Sequence, residues 1–121
     1  PLRCAAAPEV GRIDDPTIRR RARHVSSENQ RVRAFAAALR RGDLAEAGRL
    51  MVASHASLRD DFATSTAQMD AAVAAIAATP GVFGARMTGG GFGGCVVALA
   101  QPGALRDGWV VTATDGARRM D

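Results

Sequence analysis

The 121 residues contain no lysine and no tyrosine, and the aromatic set is four phenylalanines and one tryptophan. Without lysine the chain cannot use an ammonium as a phosphate anchor, and a Walker A loop is excluded outright. Scarce aromatics leave a core of Ala, Val, Leu, Ile and Met, and they remove the stacking platforms that RNA-binding sheets need. Cysteine is limited to Cys4 and Cys95, far apart and without a CxxC pattern, so neither a disulfide framework nor a zinc ribbon is expected. Both thiols read as reduced, as in a cytosolic protein. No apolar run approaches the ~20 residues of a membrane span. Residues 4–8 carry a Cys-Ala-Ala-Ala-Pro stretch like a cleavage site, but no apolar segment precedes it.

What remains is a hydrophobic fraction of 47% and a net charge of +4 carried by arginine alone. The chain is long enough for one compact domain with its own core. A sequence pI near 10.8 raises nucleic acid as a partner, but the excess charge is small and spread along the chain. Nucleic acid therefore ranks low. The chain starts with Pro1 rather than Met, which reads as a piece of something longer.

Residues 1–14 have no period and read as a linker or the end of a preceding segment. Residues 15–121 read as the domain. Asp15-Pro16 is a helix start, with Asp as N-cap and Pro at the first helical position. Ile18, Ala22, Val25, Val32, Ala36 and Leu39 then form a stripe that predicts a helix to about Arg41-Gly42. Asp43 and Glu46 have capping-box spacing and open a second helix, expected to end near Asp60 and to lie antiparallel to the first. Ser65 and Gln68 have the same spacing before a third, Ala-rich helix that stops at Pro80-Gly81. After that the period changes. Residues 82–88 and 95–100 read as strands, and 109–114 as a last strand. Helices followed by strands argue an α+β fold, with helices on one face of an antiparallel sheet.

Between the first two strands stand five glycines in six positions, Gly89 to Gly94 with Phe92 among them. Gly89, Gly91 and Gly94 match G-x-G-x-x-G, but a strand follows where a dinucleotide fold needs a helix. One reading is a hairpin turn that uses positive φ angles. The other is a loop that lets a backbone or a phosphate come close, its N–H groups forming an anion nest. The residues alone leave both open.

The stretch Gly84-Ala85-Arg86-Met87-Thr88-Gly89-Gly90-Gly91-Phe92-Gly93-Gly94-Cys95 resembles the third signature motif of galactokinases, within the galacto/homoserine/mevalonate/phosphomevalonate (GHMP) kinase superfamily. Ser54-His55-Ala56-Ser57-Leu58-Arg59-Asp60-Asp61-Phe62, with Ser65 and Asp70, resembles a second block of that family. Arg21 to Val25, Glu28-Asn29 and Arg31-Val32 resemble a third. The resemblance implies the ferredoxin-like C-terminal domain of a two-domain cytoplasmic kinase that transfers the γ-phosphate of ATP to the 1-hydroxyl of galactose. It implies that Thr88, Gly89, Gly90, Gly91, Phe92, Gly93 and Gly94 line the cleft near the phosphates. It also implies that ATP and Mg²⁺ are held mainly by an N-terminal domain, the partner that carries the catalytic Asp, its Arg and the sugar-binding residues. No catalytic residue and no metal ligand is expected here. The motifs Pro-Gly-Arg-x-Asn, Gly-Glu-His and Gly-Leu-Ser-Ser-Ser do not occur, so this chain alone is expected to be inactive.

Two departures stand out. Ala67-Gln68-Met69 replaces the family's Pro-Glu-Leu, and only Ala104–Gly108 separates Gly103 from Trp109 where the family places a full helix. The runner-up reading is a stand-alone ligand-binding or regulatory domain derived from a sugar kinase. His24 and His55 read as packing or hydrogen-bonding histidines. Arg19, Arg20, Arg21 and Arg23 read as a solvated face, and Asp60 and Asp61 as candidates for holding a domain interface. A methyl at Gly90 or Gly91 should damage function more than stability. Phe92 should pin the loop to the domain.

Overall fold

The computed structural model describes residues 7–112 and 114. They form α1 (Ala7–Gly11), α2 (Pro16–Arg40), α3 (Leu44–Ser57), a π-helical turn (Leu58–Phe62), α4 (Ala67–Ala77), β1 (Val82–Thr88) and β2 (Cys95–Ala100). The order is α+β, and the two strands pair antiparallel, with Ala85 opposite Ala98 and Thr88 opposite Cys95. The start of α2 follows from its local chemistry. The Asp15 carboxylate accepts from the N–H groups of Thr17 and Ile18 at 2.8 and 3.0 Å. At the other end Gly42 takes a left-handed φ of +70°, which turns the chain into α3. Asp43 caps α3 by accepting from Glu46 N–H at 3.0 Å, while the Glu46 side chain pairs with Arg49 rather than closing a reciprocal box.

The core lies between α4 and one face of the hairpin. Leu58, Met69, Val73, Ala85 and Met87 are buried together, with Phe62, Ile76, Val96 and Ala98 packed around them. The strand-free edge of β1 is closed by α3, and two glycines make that approach possible. A Cβ on Gly48 would stand 1.9 Å from the Phe83 carbonyl oxygen, and one on Gly84 would stand 2.2 Å from the Gly48 oxygen. No other residue type fits at either position. α2 runs antiparallel to α3, as His24 meets Ser57 and Glu28 meets Ser54. The opposite sheet face, with Arg86, Thr88 and Val97, is the floor of an open groove of about 350 Å³ walled by α2 and α3.

Several expectations change. Residues 1–14, read as a linker or the end of a preceding segment, contain α1, whose Val10 is 5% exposed and which packs on α2. The Arg19 guanidinium fixes that junction by donating to the carbonyls of Ile13 and Asp14. The stripe on α2 is only in part its buried face: Ala22 is buried, but Ile18 and Val32 are each 57% exposed. The inward residues are Ala22, His24 and Ala38, because helix and hairpin meet through polar pairs as well as apolar ones. The N-cap of α4 is Thr66, which accepts from Met69 N–H at 3.2 Å, and Ser65 turns to Asp70 instead. The second helix ends at Ser57, and Asp60 and Asp61 sit on the π-helical turn that follows. Among the described residues the expected third strand does not form: Trp109 to Thr112 have no regular secondary structure and are exposed. Ala113, the closing Gly116-Ala117-Arg118 and Cys4 lie outside the described residues.

Candidate functional site

The connection from Thr88 to Cys95 is a glycine loop fastened on one side and open on the other. Gly89, Gly91 and Gly93 take positive φ angles of 83°, 84° and 111°. Phe92 also sits in the left-handed region, at 55°, where a bulky side chain is strained. The fastening is Thr64. Its carbonyl accepts from Phe92 N–H at 2.9 Å, and a Cβ on Gly91 would come within 2.3 Å of that same oxygen. Nothing lies within 4 Å of a Cβ built on Gly89, Gly90 or Gly93. Backbone along that side is therefore accessible to an incoming group. Phe92 does not pin the loop through its side chain, which is 72% exposed; the fastening is its backbone N–H.

Thr64 is itself held from below. Ala63, at φ 57°, closes the π-helical turn, and Thr64 N–H donates to Leu58 carbonyl at 3.1 Å. The next residue, Ser65, donates to Asp70 Oδ1 at 2.6 Å, and His55 Nε2 lies 3.1 Å from the same oxygen. His55 Nδ1 accepts from the N–H of Met87 at 3.4 Å. The ring is thus the Nε2–H tautomer, acceptor to β1 and donor to α4.

A family-model match to the C-terminal domain of GHMP kinases covers residues 35–108. The chain belongs to the GHMP kinases, as a galactokinase C-terminal domain. It is 54% identical over 98 residues to the galactokinase of Mycobacterium tuberculosis strain H37Rv, covering 81% of this chain and 27% of that protein. With human galactokinase the identity is 59% over 91 residues, 72% of this chain and 23% of the relative. Among solved structures, Lactococcus lactis galactokinase complexed with galactose superposes with a TM-score of 0.77 at 40% identity, over 82% of this chain and 26% of that one. The domain thus spans about a quarter of the length of these relatives.

The galactokinase domain holds a second polar cluster that the sequence did not reveal. The Glu28 carboxylate accepts from the Ser54 hydroxyl, from Arg31 Nε at 2.8 Å and from Arg86 Nη1 at 3.2 Å. Burial pushes its carboxyl up, but the Ser54 and Arg31 hydrogen bonds outweigh that and hold it below the ordinary glutamate value. Nearby, His24 stacks on Phe62 with ring centroids 4.6 Å apart, and its Nδ1 lies 3.0 Å from Ser57 Oγ. Burial lowers its pKa, a shift the Glu28 carboxylate partly opposes. Ser57 Oγ in turn donates to Asp61 Oδ2, so His24 Nδ1 carries the proton. Asp61 also meets Arg23 at 3.3 Å, and its carbonyl accepts from Arg21. Two arginines of the cluster read as a solvated face therefore tie α2 to the π-helical turn. Asp60 instead pairs with its neighbour Arg59 at the surface.

The long-range pairs among these span 26 to 58 residues of sequence. Their members lie in the three blocks quoted from the sequence, but no spacing within a block says what meets what. No cluster of three metal-ligating side chains occurs among the described residues, and none of their helices is long and apolar enough to cross a membrane.

Proposed function

We propose that residues 15–121 complete the substrate cleft of a galactokinase, which transfers the γ-phosphate of ATP to the 1-hydroxyl of galactose in the cytosol. Thr88 and the Gly89–Gly94 loop line that cleft on the phosphate side. Support comes from one observation above the others: the loop is tied down at Gly91 and Phe92, while Gly89, Gly90 and Gly93 face open space. A phosphate can approach such a backbone to hydrogen-bond distance, where any side chain would stand in the way. The residues present fit ATP in that limited sense. Mg²⁺ would take its ligands mainly from an N-terminal domain, the partner this domain packs against.

Phosphoryl transfer rests on positioning and electrostatics, and this domain supplies shape and backbone donors rather than a base or a metal ligand. Alone it is expected to show no galactose-dependent ATP turnover. The test is a chimera in which this chain replaces the aligned quarter of the Mycobacterium tuberculosis galactokinase. Galactose-dependent ATP turnover by the chimera, and none by the 121-residue chain, supports the proposal. Turnover by the chain alone refutes it. A folded chimera without turnover, with a chain that binds a small ligand, favours the stand-alone binding domain.

A further inference from the structure

Asp70 lies on α4, outside the glycine loop and the hairpin. Its Oδ1 nevertheless gathers two donors from different elements, Ser65 Oγ at 2.6 Å and His55 Nε2 at 3.1 Å. The first fixes the segment between the π-helical turn and α4. The second fixes that segment to α3, and through Met87 N–H to β1. Thr64 lies at the end of this chain of bonds. Its carbonyl is the loop's hydrogen-bond partner outside its own hairpin, and Gly91 is packed against it.

We propose that Asp70 is a positioning residue: acting through Ser65 and His55 it fixes Thr64, and the Thr64 carbonyl sets where the glycine loop stands. This rests on the reading that the loop lines the phosphate side of the cleft. The physical case is one of alternatives. A loop with five glycines has little conformational preference of its own, so its position is set by whatever holds it. The Thr64–Phe92 bond also maintains Phe92 in its left-handed conformation, which a free loop would relax. Loosening Thr64 therefore changes where the loop N–H groups point. The cost falls on the transferred phosphate, since an error of ~1 Å there is worth about 100-fold in rate. The sugar, placed by residues outside this domain, should bind as before.

Two measurements test this. On the 121-residue chain, the Phe92 amide should exchange with solvent at least about 10-fold faster in Asp70→Ala, while amides in α2 keep their protection. In the chimera, Asp70→Ala should lower kcat about 10- to 100-fold with the galactose KM unchanged. Asp70→Asn, which keeps an oxygen acceptor for Ser65 and His55, should recover most of that loss. Should Asp70→Ala fail to fold, Ser65→Ala leaves the His55–Asp70 pair in place and should give the same kcat-specific loss on a smaller scale. An unchanged Phe92 exchange rate overturns the proposal, as does a loss of kcat matched by the galactose KM and not recovered by Asp70→Asn. Fast Phe92 exchange with full kcat in both Asp70→Ala and Gly91→Ala means that the loop does not serve the cleft. The cleft reading then fails, and the positioning role with it.

Discussion

The domain uses glycine in two places for opposite reasons. At the contact of α3 with β1, Gly48 and Gly84 have ordinary backbone angles and no room: an added Cβ would meet carbonyl oxygens at 1.9 and 2.2 Å. In the loop, Gly89 and Gly93 have open space and positive φ. The first pair is there because two backbones touch. Gly89 and Gly93 are there because the chain turns sharply through left-handed angles. Gly91 combines both constraints, with φ +84° and Thr64 oxygen 2.3 Å from its Cβ. Density of glycine is therefore a weak guide to function, and what a methyl group would meet is a better one.

The contrast is sharpened by substitutions in descending order of expected effect. Gly48→Ala should be the most damaging, because the colliding atoms are backbone on both sides and neither element can withdraw. A loss of about 3 kcal/mol or more is expected, at the upper end of overpacking costs, measured by denaturant unfolding of the chain. Gly91→Ala should cost about 2 kcal/mol from its left-handed angle and the Thr64 contact together. The contact with the Thr64 oxygen thus adds a stability cost to the functional loss expected of a methyl at Gly91. A stable Gly91→Ala protein would mean that Thr64 does not hold the loop.

A pH-dependent effect marks the packed half. Burial lowers the His24 pKa in the folded state, so below about 6.5 the unfolded chain takes up its proton first. Folding stability from this group is complete above that value and falls as pH drops from it toward the lowered folded value. His24→Gln should flatten the stability curve in that interval, measured by thermal unfolding from pH 7 to 5. An equally steep curve in the variant would assign the slope elsewhere. Phe92→Ala should change stability by less than about 0.5 kcal/mol, since 72% of Phe92 is already in water. A larger loss would show that its side chain, and not its N–H, fastens the loop.

Much of the fold was legible because its signals are local. Asp15-Pro16, Gly42-Asp43 and Pro80-Gly81 mark ends that each residue enforces on its own neighbours. The α+β order and the strands at Val82–Thr88 and Cys95–Ala100 follow from a change of period. What failed was non-local. Val32 sits in a 3–4 stripe yet is exposed, because the inward side of α2 is chosen by Ser54, Ser57 and Arg86, which arrive from distant sequence. Gly48 in a helix and Gly84 in a strand look like separate weak points until the fold brings them together. Trp109-Val110-Val111 has strand composition, but a strand also needs a partner, and these residues are 92%, 98% and 77% exposed. The glycine loop was legible as a motif, whereas its fastening at Thr64 was not. The Thr64–Phe92 bond joins two loops and leaves no period in either.

Gly90 isolates the loop's role best. It has no positive φ, and nothing lies within 4 Å of its Cβ position, so alanine there adds a methyl group to empty space. Measured in the chimera, Gly90→Ala should leave the thermal midpoint within about 1 °C, yet lower kcat/KM at least about 10-fold, because the methyl occupies the approach of the phosphate. A Gly90→Ala enzyme of unchanged kcat/KM would contradict the account and leave Gly89–Gly94 as a turn between two strands.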